Sequence, residues 1–259
     1  MQLSITAHLS YHFTDETDVL LQVEAALLDE QIIRGSNIKI SDPVHFARVP
    51  AHDMIGERIW LRVDKQLSVD YSATVAITRL LSDCKNLEMV PPHQLPGETV
   101  QYLFPSRYCP SDLFLQLAHD VFPIPPGGER IVAMRDWVHD TISYVHGSSN
   151  AGTTAVDTFQ QRQGVCRDFA HLLICLARAS GIPARIASVY ALGVKPQDFH
   201  AVAEVFLGGE WHLVDPTGMA QEGAMAKIGV GRDAADVSFL TAYGPVTLLE
   251  QTVSVNAVR

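Results

Sequence analysis

The sequence predicts an α+β protein: an all-β, sandwich-like domain over residues 1–95, then a region of helices packed on antiparallel strands over 96–259. Three observations carry this expectation. Apolar residues alternate at period two through the first third of the chain. A stretch rich in proline and glycine interrupts the pattern near residue 90. Beyond it the period changes, and apolar runs of helical length alternate with short strand candidates.

Taking the elements in order, Leu3, Ile5, Ala7, Leu9, Tyr11 and Phe13 occupy successive odd positions with mostly polar residues between them. Strict alternation marks a half-buried strand, because successive side chains point to opposite faces. Val19, Leu21, Val23 and Ala25 repeat it, and shorter versions lie at 38–40, 59–63 and 75–77, bounded by turn residues. Residues 90–97, Val-Pro-Pro-His-Gln-Leu-Pro-Gly, read as a linker. Ser111 is placed to cap a short helix reaching about residue 121, and the run 123–128 breaks the chain again. A helix is expected over 129–142, and another over 166–180 that stops at Gly181-Ile182-Pro183. In the latter, Phe169, Leu172, Leu173, Ile174 and Leu176 leave hardly any polar face, which is the signature of a buried helix. Strand candidates follow at 186–192 and 199–207, then a Gly208-Gly209 turn and a strand over 211–215.

Lys and Arg number 19 against 29 Asp and Glu, a formal charge of −10, with no basic run. That balance argues against nucleic acid or an anionic membrane as partner, since both require a basic footprint. No apolar run approaches the length of a membrane span. Met1 to Phe13 contains no basic residue, so no secretory signal is expected there. Four scattered cysteines, Cys84, Cys109, Cys166 and Cys175, are read as reduced thiols of a cytoplasmic protein.

The chemistry concentrates at Gly164-Val165-Cys166-Arg167-Asp168-Phe169-Ala170-His171. Cys166 opens the buried helix, where free backbone N–H groups and the positive end of the dipole favour an anion. A thiolate is the nucleophilic form of cysteine, and the same N–H groups suit an oxyanion. A cysteine nucleophile needs an imidazole, and the imidazole an acceptor that fixes its tautomer. If Gly208-Gly209 is a two-residue turn, Leu207 faces Glu210 and Val202 faces Asp215, which places His200 diagonal to Asp215 on one face. Diagonal neighbours are ~7–8 Å apart at the backbone, within reach of long side chains. A three-residue loop would put the two on opposite faces, and both strands are too apolar for pattern to choose. Taken singly, each residue has a plainer reading: a buried inert Cys, a core His, a strand-ending Asp.

Together, the motif at 164–171, Gly181-Ile182-Pro183-Ala184-Arg185, His200-Ala201 and Trp211-His212-Leu213-Val214-Asp215-Pro216-Thr217 resemble the bacterial transglutaminase-like proteins. Pro105-Ser106-Arg107-Tyr108 and the stretch 231–237 add to the resemblance, which spans roughly residues 100–240, and the strands before it resemble the β-rich region that often precedes this core. The resemblance implies a papain-like core with the nucleophile on a helix packed against an antiparallel sheet. It maps a triad onto Cys166, His200 and Asp215, and it implies attack on a peptide or protein amide through an acyl-enzyme. Water would complete hydrolysis, which is the expected activity; transfer to an amine, or a non-catalytic binding module that keeps the fold, are the alternatives.

Tyr144 lies upstream where an aromatic could help hold an oxyanion, although a core aromatic is the plainer reading. Asp168 and His171 are expected to anchor the helix start, and Arg232, Asp233 and Asp236 to form a capped turn. No metal or cofactor is expected: there is no His-Glu-x-x-His, no Cys-x-x-Cys, no calcium loop and no phosphate-binding loop.

Overall fold

The computed structural model describes residues 1–258. Six strands come first: β1 (Gln2–Phe13), β2 (Thr17–Leu21), β3 (Gln31–Ile40), β4 (His45–Pro50), β5 (Glu57–Val63) and β6 (Gln66–Ile77). The short helices α1 (Gly97–Val100) and α2 (Leu115–Val121) precede α3 (Gly128–Thr141). Then come β7 (Ser143–Tyr144), α4 (Ala155–Gln161), β8 (Gln163–Gly164) and α5 (Cys166–Ala179). The chain ends in β9 (Ala184–Ala191), β10 (His200–Leu207), β11 (Glu210–Val214), β12 (Met225–Gly231), β13 (Leu240–Ala242) and β14 (Val246–Ala257). No described helix is long and apolar enough to cross a membrane.

The strands form two sandwich sheets, β14-β1-β6-β3 and β13-β2-β5-β4, and a third sheet, β11-β10-β9-β12, in the α+β region. The alternation in β1 does what its pattern requires. Leu3, Ile5, Leu9 and Phe13 are buried in one core with Val19 and Leu21 of β2 and Ile59, Leu61 and Val63 of β5. In the α+β region, α5 lies on the third sheet, and Leu172, Leu173 and Leu176 share a core with Ala203, Val205 and Leu207 of β10.

The expected division at residue 95 misses the return of the chain. β13 pairs antiparallel with β2 and β14 with β1, so residues 240–257, assigned by sequence to the second region, are strands of the first region's sheets. An apolar pattern shows that a segment is a strand; it does not show which sheet completes it. β12 was also missed, because it is buried on both faces and its sequence does not alternate. Ser111 does not cap α2: Ser111–Phe114 is a 3-10 turn ahead of the helix, with Pro110 at the cap position and no side-chain capping bond.

The two regions share buried contacts. Tyr190 of β9 stacks on Tyr71 of β6, with 5.9 Å between centroids, and donates to the Val23 carbonyl at 2.6 Å. The Gln31 side-chain amide accepts from Lys227 N–H at 2.7 Å and donates to the Lys227 carbonyl at 2.9 Å, sealing the edge of β12 at that residue. A chain of buried charges runs beside it. Glu204 of β10 is fully buried between Arg185, at 2.6 Å, and the Lys227 ammonium. Lys227 also meets Glu30 at 2.6 Å, and Glu30 meets Arg79 at 2.9 Å. Burial alone would raise the Glu204 carboxyl, but Lys227 and Arg185 overcome it and hold the group at about 2.

Removing one member of a buried ion pair leaves the other charge without compensation, at a cost of about 3–5 kcal/mol. Glu204→Ala is therefore expected to lose about 3–5 kcal/mol in denaturant unfolding at neutral pH. Because the folded-state value lies below the ordinary 4.5, the wild-type contribution is present above that pH and lost as pH falls toward about 2. A loss of less than about 1 kcal/mol would show that the buried charges are compensated by other means.

Candidate active site

Cys166 is the first residue of α5 and is half-buried. Its position is fixed from behind. The buried Asp168 carboxylate accepts from the Val165 N–H at 2.8 Å and from the Ser149 hydroxyl at 3.1 Å. Gly164 makes room for that carboxylate, since a Cβ there would lie 2.7 Å from Asp168 Cβ. His171 is buried too. It stacks on Tyr108, accepts from Ala234 N–H at 3.1 Å, and burial lowers it to about 3, so it is a neutral structural group. Both residues anchor the helix, as their spacing suggested.

The hairpin β10–β11 positions the partner groups. Gly208 and Gly209 both have positive φ, 60° and 89°, the geometry of a two-residue hairpin turn that suits the twist of its strands. The register follows: Leu207 pairs with Glu210 and Ala203 with Val214. His200 Nε2 donates to Asp215 Oδ2 at 2.9 Å, and both side chains are out of solvent. The other Asp215 oxygen accepts from the Thr217 N–H at 2.9 Å and hydroxyl at 2.7 Å, and the Ala220 N–H adds a bond to Oδ2 at 3.0 Å. This carboxylate has no freedom to rotate, and the hydrogen bond from His200 helps hold it below the ordinary range against burial.

The remaining ring nitrogen, His200 Nδ1, is buried and has no formed hydrogen bond among the described residues, and Cys166 lines the same cleft. Burial would lower this imidazole. The Asp215 bond and Cys166 outweigh it and raise His200 to about 10. A sulfur close enough to affect the ring without a formed bond is the loose geometry common in sites without substrate.

Tyr144 is brought to the same place by the parallel pairing of β7 with β8, in which Tyr144 lies opposite Gly164. Its ring packs against Phe169, and the residue lines the same cleft as Cys166. Burial first, and then the Cys166 charge, push that hydroxyl well above the ordinary tyrosine value. Cys109 and Cys175 are buried in the core, and burial pushes the Cys84 thiol up to about 11. Arg232, Asp233 and Asp236 form a turn in which Asp236 accepts from the Arg232 N–H at 2.9 Å.

Cys166, His200 and Tyr144 line one cleft of about 660 Å³. Its far wall comes from the sandwich: Tyr11 of β1 and Val246, Leu248 and Gln251 of β14. Reading the sequence missed these four, because alternation identifies a strand but not what its uncovered end faces. No group of three metal-ligating side chains occurs among the described residues.

The transglutaminase-like superfamily model matches residues 116–216, a stretch that holds Cys166, His200 and Asp215. A crystal structure of a candidate cysteine protease from Cytophaga hutchinsonii is 32% identical, with a TM-score of 0.93 over 100% of this chain and 91% of that one. The chain belongs to the transglutaminase-like superfamily. Curated relatives include an uncharacterized protein of Mycobacterium leprae, 32% identical over 117 residues. Another, from Mycobacterium tuberculosis, is 31% identical over 115 residues. The matches span 42% and 37% of those two proteins. The similarity to the Cytophaga structure covers all of this transglutaminase-like chain, β-rich N-terminal region included.

Because the Asp215 bond favours protonated His200, Asp215→Asn should lower the His200 value from about 10, leaving Cys166 alone to oppose burial. Imidazole nitrogen NMR checks this. The wild-type ring is expected to stay protonated through pH 8 and the variant ring to lose its proton at a lower pH than the wild type; an unchanged titration would remove Asp215 as the cause.

Proposed function

We propose that the protein is a thiol-dependent amide hydrolase acting on a peptide or protein substrate, with Cys166 as nucleophile, His200 as acid and base, and Asp215 orienting His200. The observation that carries this reading is the His200–Asp215 bond at 2.9 Å, with the opposite ring nitrogen unpartnered among the described residues and Cys166 on the same cleft. A protonated imidazole beside a cysteine at a helix start favours the thiolate.

In the proposed reaction the Cys166 thiolate attacks the amide carbonyl carbon, and the carbonyl π electrons move to oxygen. The Tyr144 hydroxyl, on the same cleft as Cys166, and the free N–H groups at the start of α5 are the proposed donors to that oxyanion. His200 gives its Nδ1 proton to the leaving nitrogen, the C–N bond breaks, and an acyl thioester remains on Cys166. Neutral His200 then takes a proton from water, hydroxide adds to the thioester, and the sulfur leaves as thiolate beside the reformed imidazolium. The sum is one amide and one water giving a carboxylic acid and an amine. Asp215 stays ionised throughout, held by Thr217 and Ala220.

Water, rather than an amine, is the proposed acceptor. Efficient transfer needs a second pocket that holds the amine against the thioester. Cys166 and His200 share one cleft of about 660 Å³, in which water is the proposed acceptor.

Alkylation by iodoacetamide tests the nucleophile without a known substrate. At neutral pH, Cys166 should label well ahead of Cys84, whose thiol is pushed up to about 11, and ahead of the buried Cys109 and Cys175. His200→Ala should slow Cys166 labelling toward that of an ordinary thiol. Equal labelling of Cys166 in both proteins would contradict the assigned pairing.

A further inference from the structure

The wall of the cleft opposite α5 is the end of β14, and it has an unused hydrogen-bonding edge. β14 is the outermost strand of its sheet, paired on one side with β1. The Val258 N–H donates to the Gln2 carbonyl at 2.9 Å, which fixes the residues whose backbone turns inward. Backbone groups alternate along a strand, so Val255, Val253 and Gln251 turn outward. Val255 confirms it: its N–H donates to Gln197 Oε1 at 3.3 Å, and its carbonyl accepts from Gln197 Nε2 at 2.9 Å. One side-chain amide thus takes the place of a neighbouring strand's peptide group, as Gln31 does at Lys227 on the edge of β12.

Past Val255 nothing among the described residues takes this place. A register shift opposite Ser10 and Tyr11 leaves Leu248 opposite Tyr11, and residues 246–252 are all exposed. Val246, Leu248 and Gln251 face the cleft with Cys166 and His200. Leu248 is 50% and Val246 40% exposed, an apolar surface on a strand edge, which proteins ordinarily cover or charge.

We propose that the free edge of β14 between Val246 and Val253 binds the substrate's peptide chain as an added strand, with apolar substrate side chains against Val246 and Leu248, delivering the amide to Cys166. The proposal rests on the amide-hydrolase reading and adds to it the substrate class: an extended, locally unfolded polypeptide with apolar residues beside the cleaved amide. Main-chain bonds to the edge supply affinity, and the facing pockets supply sequence preference. Gln197 marks where the added strand ends, because it already occupies the position beside Val255. The occupant is therefore a chain of a few residues.

The test uses two probes, a blocked pentapeptide of leucine, valine and alanine and the same peptide with alternate backbone nitrogens methylated, which removes the strand donors. Hydrogen exchange on the Cys166→Ala protein reads the edge independently of the thiol. The unmethylated peptide is expected to protect amides within 246–253, and the methylated one is not. In the wild-type protein the same peptides carrying a chloromethyl ketone are compared for their rate of Cys166 alkylation, in which sulfur displaces chloride. The unmethylated reagent should react faster by about tenfold to a hundredfold, the equivalent of two or three hydrogen bonds. Absence of protection in 246–253, or equal protection by both peptides, would overturn the proposal. Sluggish alkylation of Cys166 by every reagent, with protection intact, would overturn the hydrolase reading and leave the edge site standing.

Discussion

The geometry of the site depends on the register of one hairpin. His200 and Asp215 meet only because a two-residue turn at Gly208-Gly209 pairs Leu207 with Glu210 and carries that register to the far end of both strands. A slip of one residue would send the imidazole and the carboxylate to opposite faces of the sheet. Two adjacent residues with positive φ are tolerated by glycine at little steric cost, so the turn sequence fixes an interaction at the other end of the hairpin. The saturation of Asp215 by Thr217 and Ala220 then keeps the carboxylate aimed.

The second constraint is the depth of α5. A helix buried on all sides cannot shift along its axis without disturbing the close-packed core around it, so its first residue is held as firmly as its middle. Asp168 accepts the Val165 N–H at that end, and His171 fixes the turn at Ala234 one helical turn later. Cys166 therefore needs no bond of its own to be placed, and its sulfur is free for the proposed chemistry.

The cleft belongs to neither region alone. The C-terminal strands return to the sandwich and lay the uncovered end of β14 across from α5, and the shared core at Tyr71 and Tyr190 with the buried charges around Glu204 holds the walls together. This explains which parts were legible in the sequence. Local pattern gave β1, β2, α3, α5 and the hairpin, because alternation, an apolar run and a glycine pair act within a few residues. The His200–Asp215 pairing was readable as a conditional, since a turn length determines a register. The return of β14 and the burial of β12 were not, because pairing over more than two hundred residues leaves no trace in local period. Tyr11 and Leu248 remained hidden for the same reason: a cleft wall made by the other region cannot be seen from its own strand. Ser111 shows the opposite failure, a good capping residue overridden by a 3-10 turn after Pro110.

The most direct measurement is a rapid-quench intact-mass experiment with an activated acyl donor, a peptidyl p-nitrophenyl ester, following the protein mass during turnover at neutral pH. An adduct of one acyl group should form on Cys166, decay to the free thiol in water, and persist longer in the Asp215→Asn protein, where the imidazole that must deprotonate water is no longer oriented. An adduct on Cys84 instead, or ester turnover with no acyl intermediate and no dependence on Asp215, would contradict a cysteine nucleophile held at the start of α5.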